Sequence, residues 1–176
     1  MIRVVVTGSE CTGKTTLAKA LAAHYQTAWV PEFARRFVID KGAPPGHLDV
    51  EVIARGQIAL EDERAQQASR LLIQDTDLLS TVLYSRHYYG NCPDWIEVAI
   101  EKRTADLYLL AEIDVPWAPD DGQRDRGDRR EEMHDLFHSA LVDRGLSFAE
   151  IRGSHDERVE NAVSVIGRLP GVTSSG

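Results

Sequence analysis

Apolar residues along the chain come in two patterns. The first is a short run without polar alternation, as in Ile2 and Val4 to Val6, which suits a strand buried on both faces. Thr27 to Val30, Leu71 to Gln74 and Leu107 to Leu110 read as further strands, and Ser147 to Arg152 as a fifth. The second is helical spacing. Leu17, Ala18, Leu21 and Ala22 predict a helix from about Gly13 to Tyr25, and Val50, Ile53 and Leu60 a longer one, capped by Asp49 and running to about Arg70. Leu78 to Tyr89 reads as a helix closed by Gly90. Asp94 and Glu97 suggest a capping box ahead of Trp95 to Arg103. Asp128 is placed to cap Arg129 to Arg144, which Gly145 closes, and Gly153 to Asp156 turns into a last helix from Glu157 to Leu169. Between the first two helices, Lys41 to His47 holds Gly42, Pro44, Pro45 and Gly46 and reads as a loop.

Strands that alternate with helices predict an α/β fold, a parallel sheet covered by helices on both faces. The 176 residues suit one domain with a sizeable core, over residues 1–170, with a polar tail at 171–176. No internal repeat is present.

The first strand runs into Gly8-Ser9-Glu10-Cys11-Thr12-Gly13-Lys14-Thr15, followed by Thr16 in the opening turn of a helix. This is the G-x-x-x-x-G-K-[ST] phosphate-binding loop in its strand–loop–helix setting. Gly8 and Gly13 let the backbone curl so that its N–H groups face an anion, and the helix adds its positive end. Lys14 is placed to reach the β- and γ-phosphates of ATP, and Thr15 to offer its hydroxyl to Mg²⁺. The third strand ends in Asp75-Thr76-Asp77, and an acid there can organise the same Mg²⁺. For Asp75 to do so the third strand must lie beside the first. The expected architecture is therefore a P-loop NTPase three-layer sandwich with strand order 2-3-1-4-5.

Glu32 closes the second strand, where the ligand crevice of a parallel sheet lies. Glu32 or Asp77 could accept a proton from a substrate hydroxyl, and the pattern alone leaves both open. Further on, Pro119 to Arg126 has little apolar content. With Arg129 and Arg130 it gathers four arginines, Arg124 and Arg126 included, where a mobile lid would bring charge to a transferring phosphoryl group.

Charge and cysteine content narrow the class. A net charge of −8 argues against nucleic acid as the main partner. No run approaches the roughly 18 apolar residues of a membrane helix. A core strand rather than a basic leader opens the chain, so neither an upstream domain nor a secretory signal is expected, and the protein reads as cytoplasmic. Cys11 and Cys92 form no framework, and Cys11 serves as a small side chain in the phosphate loop. His134 and His138 stand four apart without the glutamate of a zinc-protease motif and read as a solvated helix face.

These segments together resemble the small-molecule and nucleoside kinases, and more closely the ribosylnicotinamide kinase domain of the NadR proteins. The resemblance rests on the phosphate loop, Pro31-Glu32-Phe33-Ala34-Arg35, Asp75-Thr76-Asp77-Leu78-Leu79, and Asp114-Val115-Pro116-Trp117 with Asp120-Asp121-Gly122-Gln123-Arg124. It spans about residues 2 to 166. It implies transfer of the γ-phosphoryl group of ATP to nicotinamide riboside, with the acceptor against Glu32, Arg35, Asp77, Tyr89 and Trp117. Trp117 would stack on the cationic pyridinium ring. Tyr88 and Tyr89 are further aromatic partners. Full-length NadR proteins also carry a nucleotidyltransferase domain with His-x-Gly-His. That motif is absent from this sequence, so only the kinase activity is carried over. The same loop and Asp75 would also serve a nucleotide-hydrolysing switch or regulatory module, or a kinase for another nucleoside or small metabolite.

Overall fold

The computed structural model describes residues 1–116 and 129–172. Its sheet holds β1 (Ile2–Thr7), β2 (Trp29–Val30), β3 (Leu71–Asp75), β4 (Leu107–Ala111) and β5 (Phe148–Ile151), all parallel, in the order β2-β3-β1-β4-β5. This is the expected order. Val6 is level with Asp75, so the phosphate loop and Asp75 leave the sheet side by side. The helices are α1 (Lys14–His24), α2 (Phe33–Lys41), α3 (Val50–Ala65), α4 (Leu78–Tyr89), α5 (Asp94–Arg103), α6 (Arg130–Asp143) and α7 (His155–Ile166).

Strand alternation divides the interior into two cores. Val4, Val6, Ile73 and Leu109 face α1 and α7, while Val5, Tyr108 and Leu110 face the helices of the other layer. The second layer is closed by Leu79 and Val82 of α4, Ile96 of α5, and Met133 and Phe137 of α6. Every residue of β3 and β4 is buried, which is why Leu71 to Ile73 and Leu107 to Ala111 carry no charged residue.

The boundaries differ from the sequence expectation most clearly at β2, α3, α5 and α7. β2 shrinks to two residues, and just ahead of it the Thr27 hydroxyl donates to the Leu71 carbonyl. α3 stops at Ala65, and Gln66 to Ser69 turns back towards β3. α5 is capped by Pro93, whose carbonyl takes the Ile96 N–H at 3.0 Å, so Asp94 lies inside the first turn and no capping box forms there. α7 starts earlier, at a capping box made by Ser154 and Glu157. Asp128 lies outside the described residues, and α6 begins after Arg129. Val172 packs against the core that faces α1 and α7. No helix among the described residues is long and apolar enough to cross a membrane.

Candidate active site

The phosphate loop takes its shape from two glycines. Gly8 has φ +127°, and a Cβ there would come within 3.0 Å of the Ala111 carbonyl oxygen on β4. Gly13 has φ +78° and forms the N-cap of α1. Inside the loop, the Ser9 carbonyl accepts from the Thr12 hydroxyl at 2.9 Å and from Lys14 Nζ at 2.6 Å. Lys14 thus lies across the mouth of the loop, bonded to a carbonyl that a phosphate oxygen can replace.

Thr15 and Asp75 meet as the sequence predicts. The Thr15 hydroxyl donates to Asp75 Oδ2 at 2.5 Å. Asp75 Oδ1 is buried and has no hydrogen-bond partner among the described residues. Burial holds the Asp75 carboxyl above its usual range, opposed by the Thr15 hydroxyl and the Lys14 charge. A buried, orphaned carboxylate oxygen beside a hydroxyl suits a hard divalent cation with oxygen ligands, so these residues fit Mg²⁺.

The next residue, Thr76, sits at φ +63°, a conformation that a β-branched side chain adopts only under constraint. Its N–H donates to the Val6 carbonyl at 2.9 Å. This kink leaves Thr76 in the cavity wall and turns Asp77 into the protein. Asp77 Oδ1 accepts from the Leu79 N–H at 3.0 Å and so caps α4, and Oδ2 accepts from the Tyr108 hydroxyl at 2.9 Å. Burial pushes its carboxyl up to about 6, against the pull of those donors. Asp77 is not among the residues lining the cavity. Of the two carboxylates open as a proton acceptor, only Glu32 borders that space.

The cavity encloses about 480 Å³ and runs from the phosphate loop residues Glu10 to Thr16, past Glu32 and Arg35, to the inner face of α4. Its far wall is aromatic, made of Tyr84, Tyr88 and Tyr89. The Tyr84 and Tyr88 rings lie nearly parallel, 6.1 Å apart, and the Tyr89 hydroxyl donates to the Pro45 carbonyl at 2.8 Å. Glu32 is the N-cap of α2, a helix with no fully buried residue that the apolar pattern does not reveal. Trp117, Arg124 and Arg126 lie outside the described residues.

Two arginines brace the loop from behind. Arg158 donates to the Thr12 carbonyl at 2.9 Å and to the Glu112 carbonyl at 2.9 Å, and it pairs with Asp114. Arg130 donates to the Cys11 carbonyl at 3.0 Å and the Val115 carbonyl at 2.7 Å. Arg130 belongs to the arginine cluster seen in the sequence, whereas Arg158 was not singled out. Both sit near helix N-termini, where a cation opposes the helix dipole, and that mismatch is the signal that could have marked them. His134 and His138 face Glu112 and Glu150 at 3.6 Å each, and the described residues hold no group suited to binding a metal through histidine, cysteine and carboxylate clusters.

Comparison with known proteins agrees with this architecture. The Escherichia coli (strain K12) trifunctional NAD biosynthesis/regulator protein NadR is 27% identical over 175 residues, covering 96% of this chain. This chain spans only 42% of that relative's length. A crystal structure of NadR protein in complex with NR superposes with a TM-score of 0.81 at 22% identity, over 99% of this chain and 52% of that one. Deoxyadenosine kinase from M. mycoides, solved with bound dATP, superposes with a TM-score of 0.64 at 10% identity, over 95% of this chain and all of its own. The fold is that of the P-loop kinases. A family model described as an AAA domain matches residues 3–158. The match runs from β1 into α7 and takes in every described element that borders the cavity; the chain belongs to this AAA domain family.

Proposed function

We propose that this chain is an ATP-dependent kinase that phosphorylates the primary hydroxyl of a nucleoside-like molecule, with nicotinamide riboside as acceptor and nicotinamide mononucleotide as product. The observation that carries this reading is the continuity of one cavity from the phosphate loop, past Glu32, to a wall of three tyrosines. A flat, positively charged ring is well held by electron-rich aromatic faces, with a gain of about 0.5–2 kcal/mol. The NadR relatives, one of them solved with NR, support the same acceptor.

In the proposed reaction the loop N–H groups and Lys14 hold the β- and γ-phosphates of ATP. Thr15 and Asp75 would hold Mg²⁺, which would supply charge that offsets the phosphate oxygens. Glu32 orients the acceptor hydroxyl in line with the γ-phosphorus and takes its proton as the new O–P bond forms and ADP leaves. The tyrosine wall fixes the base so that the ribose end points at the loop. Positioning and charge do most of the work, since little covalent chemistry is asked of the protein. Arg124 and Arg126, beyond the described residues, are proposed to add positive charge at the transferring group.

The test is ADP release with nicotinamide riboside, uridine, deoxyadenosine or no acceptor. Turnover is expected to require an acceptor and to favour the cationic one. ADP release independent of any acceptor would make the chain a hydrolase instead. Equal rates with uridine would leave only a general nucleoside kinase.

A glycine offers a second test. A Cβ on Gly56 of α3 would come within 2.3 Å of the Phe33 ring, at the first residue of α2. Glycine inside a helix costs about 0.5–1 kcal/mol relative to alanine, so close approach explains its presence. Gly56→Ala should push the ring out and shift the start of α2 beside Glu32. A several-fold fall in kcat with ATP KM unchanged is expected, and unaltered kcat would show that the Phe33 contact does not hold Glu32 in place.

A further inference from the structure

α2 starts one residue after Glu32, and Glu32 makes no side-chain cap for it. The N–H groups of a first helical turn need partners from elsewhere. Another helix supplies one. The Phe33 N–H donates to Oε1 of Gln57 at 2.9 Å, and Gln57 is buried in the cavity wall at 3% exposure. Its neighbour Gly56 is the residue on which the Phe33 ring lies. Two successive residues of α3 therefore hold the start of α2, one by a polar bond and one by close packing.

The other end of the Gln57 side chain determines which way its amide faces. Nε2 donates to Glu61 Oε1 at 3.3 Å, one turn further along α3. Glu61 is 1% exposed and accepts from Arg103 Nε at 3.0 Å, and Arg103 also bonds Asp62. Burial pushes the Glu61 carboxyl up to about 7, and the Arg103 guanidinium beside it favours the ionised form. In that form the carboxylate offers only acceptors, so the amide turns its NH₂ to Glu61 and its oxygen to the Phe33 N–H. A flipped amide would set two acceptors against each other at one end and two donors at the other. Fully partnered buried networks of this kind fix one arrangement.

We propose that Gln57 is a positioning residue for phosphoryl transfer: it anchors the Phe33 N–H and through it the adjacent Glu32 carboxylate, while Glu61 and Arg103 hold its amide in the productive orientation. The proposal rests on Glu32 as the group that takes the acceptor proton. Gln57 acts through Glu32 and not by touching the acceptor.

The experiment is a double-mutant cycle on the full chain with ATP and nicotinamide riboside, using Gln57→Met, Glu32→Gln and the two combined. Methionine keeps the length of the side chain and removes the acceptor. Gln57→Met should lower kcat about tenfold or more, the scale of a small misplacement of a reacting group, with ATP KM within about twofold. On the Glu32→Gln background it should add less than about a twofold loss. Equal losses in both backgrounds, no loss at all, or a raised acceptor KM with kcat intact would each overturn the proposal and leave the role of Glu32 standing. Wild-type turnover in Glu32→Gln would remove the role of Glu32, and this inference with it. Should Gln57→Met fail to fold, Gln57→Glu answers in its place. It keeps an acceptor for Phe33 but sets a carboxylate against Glu61, so kcat should fall. Adding Glu61→Gln exchanges donor and acceptor and should restore most of it. A folded exchange variant with no recovery overturns the proposal.

Discussion

Lys14→Ala is expected to abolish most phosphoryl transfer while leaving the fold intact. The Lys14 side chain packs into neither core, and its ammonium donates to the Ser9 carbonyl across the loop mouth, with its charge acting on Asp75. The backbone shape of the loop comes from Gly8, Gly13 and the two bracing arginines, all of which remain. The change therefore removes charge from the phosphate site and little else. A preorganised charged contact of this kind contributes about 2–4 kcal/mol to the transition state. That corresponds to a rate loss of roughly 30- to 1,000-fold. Steady-state kinetics beside a thermal melt would check it. A folded Lys14→Ala protein with near-normal kinase activity would overturn the assignment of the loop.

The parts of this molecule that were legible in the sequence are those whose cause is local. The buried strands announce themselves because nothing polar interrupts Val4 to Val6 or Leu107 to Leu110. The phosphate loop is legible because its shape depends on two glycines and its chemistry on backbone N–H groups. Asp75 follows from the loop, since an order that sets β3 against β1 brings it beside Thr15. α2 was not legible. Its nine residues include Arg35, Arg36, Asp40 and Lys41, none is fully buried, and it is held in place by α3 through Gln57 and Gly56. Arg158 lies 146 residues from the Thr12 carbonyl it bonds, a separation at which no spacing rule operates. The inward placing of Asp77 was not legible for a related reason. In an extended strand end it would be an even neighbour of Asp75 on the same face, but the left-handed Thr76 breaks that alternation and sends it inward to Tyr108.

That kink determines the expected outcome of the second large experiment. Glu32→Gln should keep ATP binding and lose phosphoryl transfer. Glutamine preserves the size of the side chain and one oxygen acceptor, and removes the negative charge and the capacity to take a proton from the acceptor hydroxyl. General-base removal typically costs on the order of 10²–10⁴-fold in rate. Asp77→Asn should behave differently. Asparagine caps a helix about as well as aspartate, so the bond from the Leu79 N–H survives. The bond to the Tyr108 hydroxyl loses its charge assistance, a change of about 1 kcal/mol in stability. Because Asp77 does not border the cavity, kcat per folded molecule should stay within a few-fold of wild type. The two variants, measured together for melting temperature, ATP binding and kcat, separate a base from a structural carboxylate. A Glu32→Gln enzyme with full turnover beside a folded but inactive Asp77→Asn enzyme would exchange the two roles. It would require Thr76 to leave its left-handed conformation when substrates bind, so that Asp77 swings from Tyr108 into the cavity.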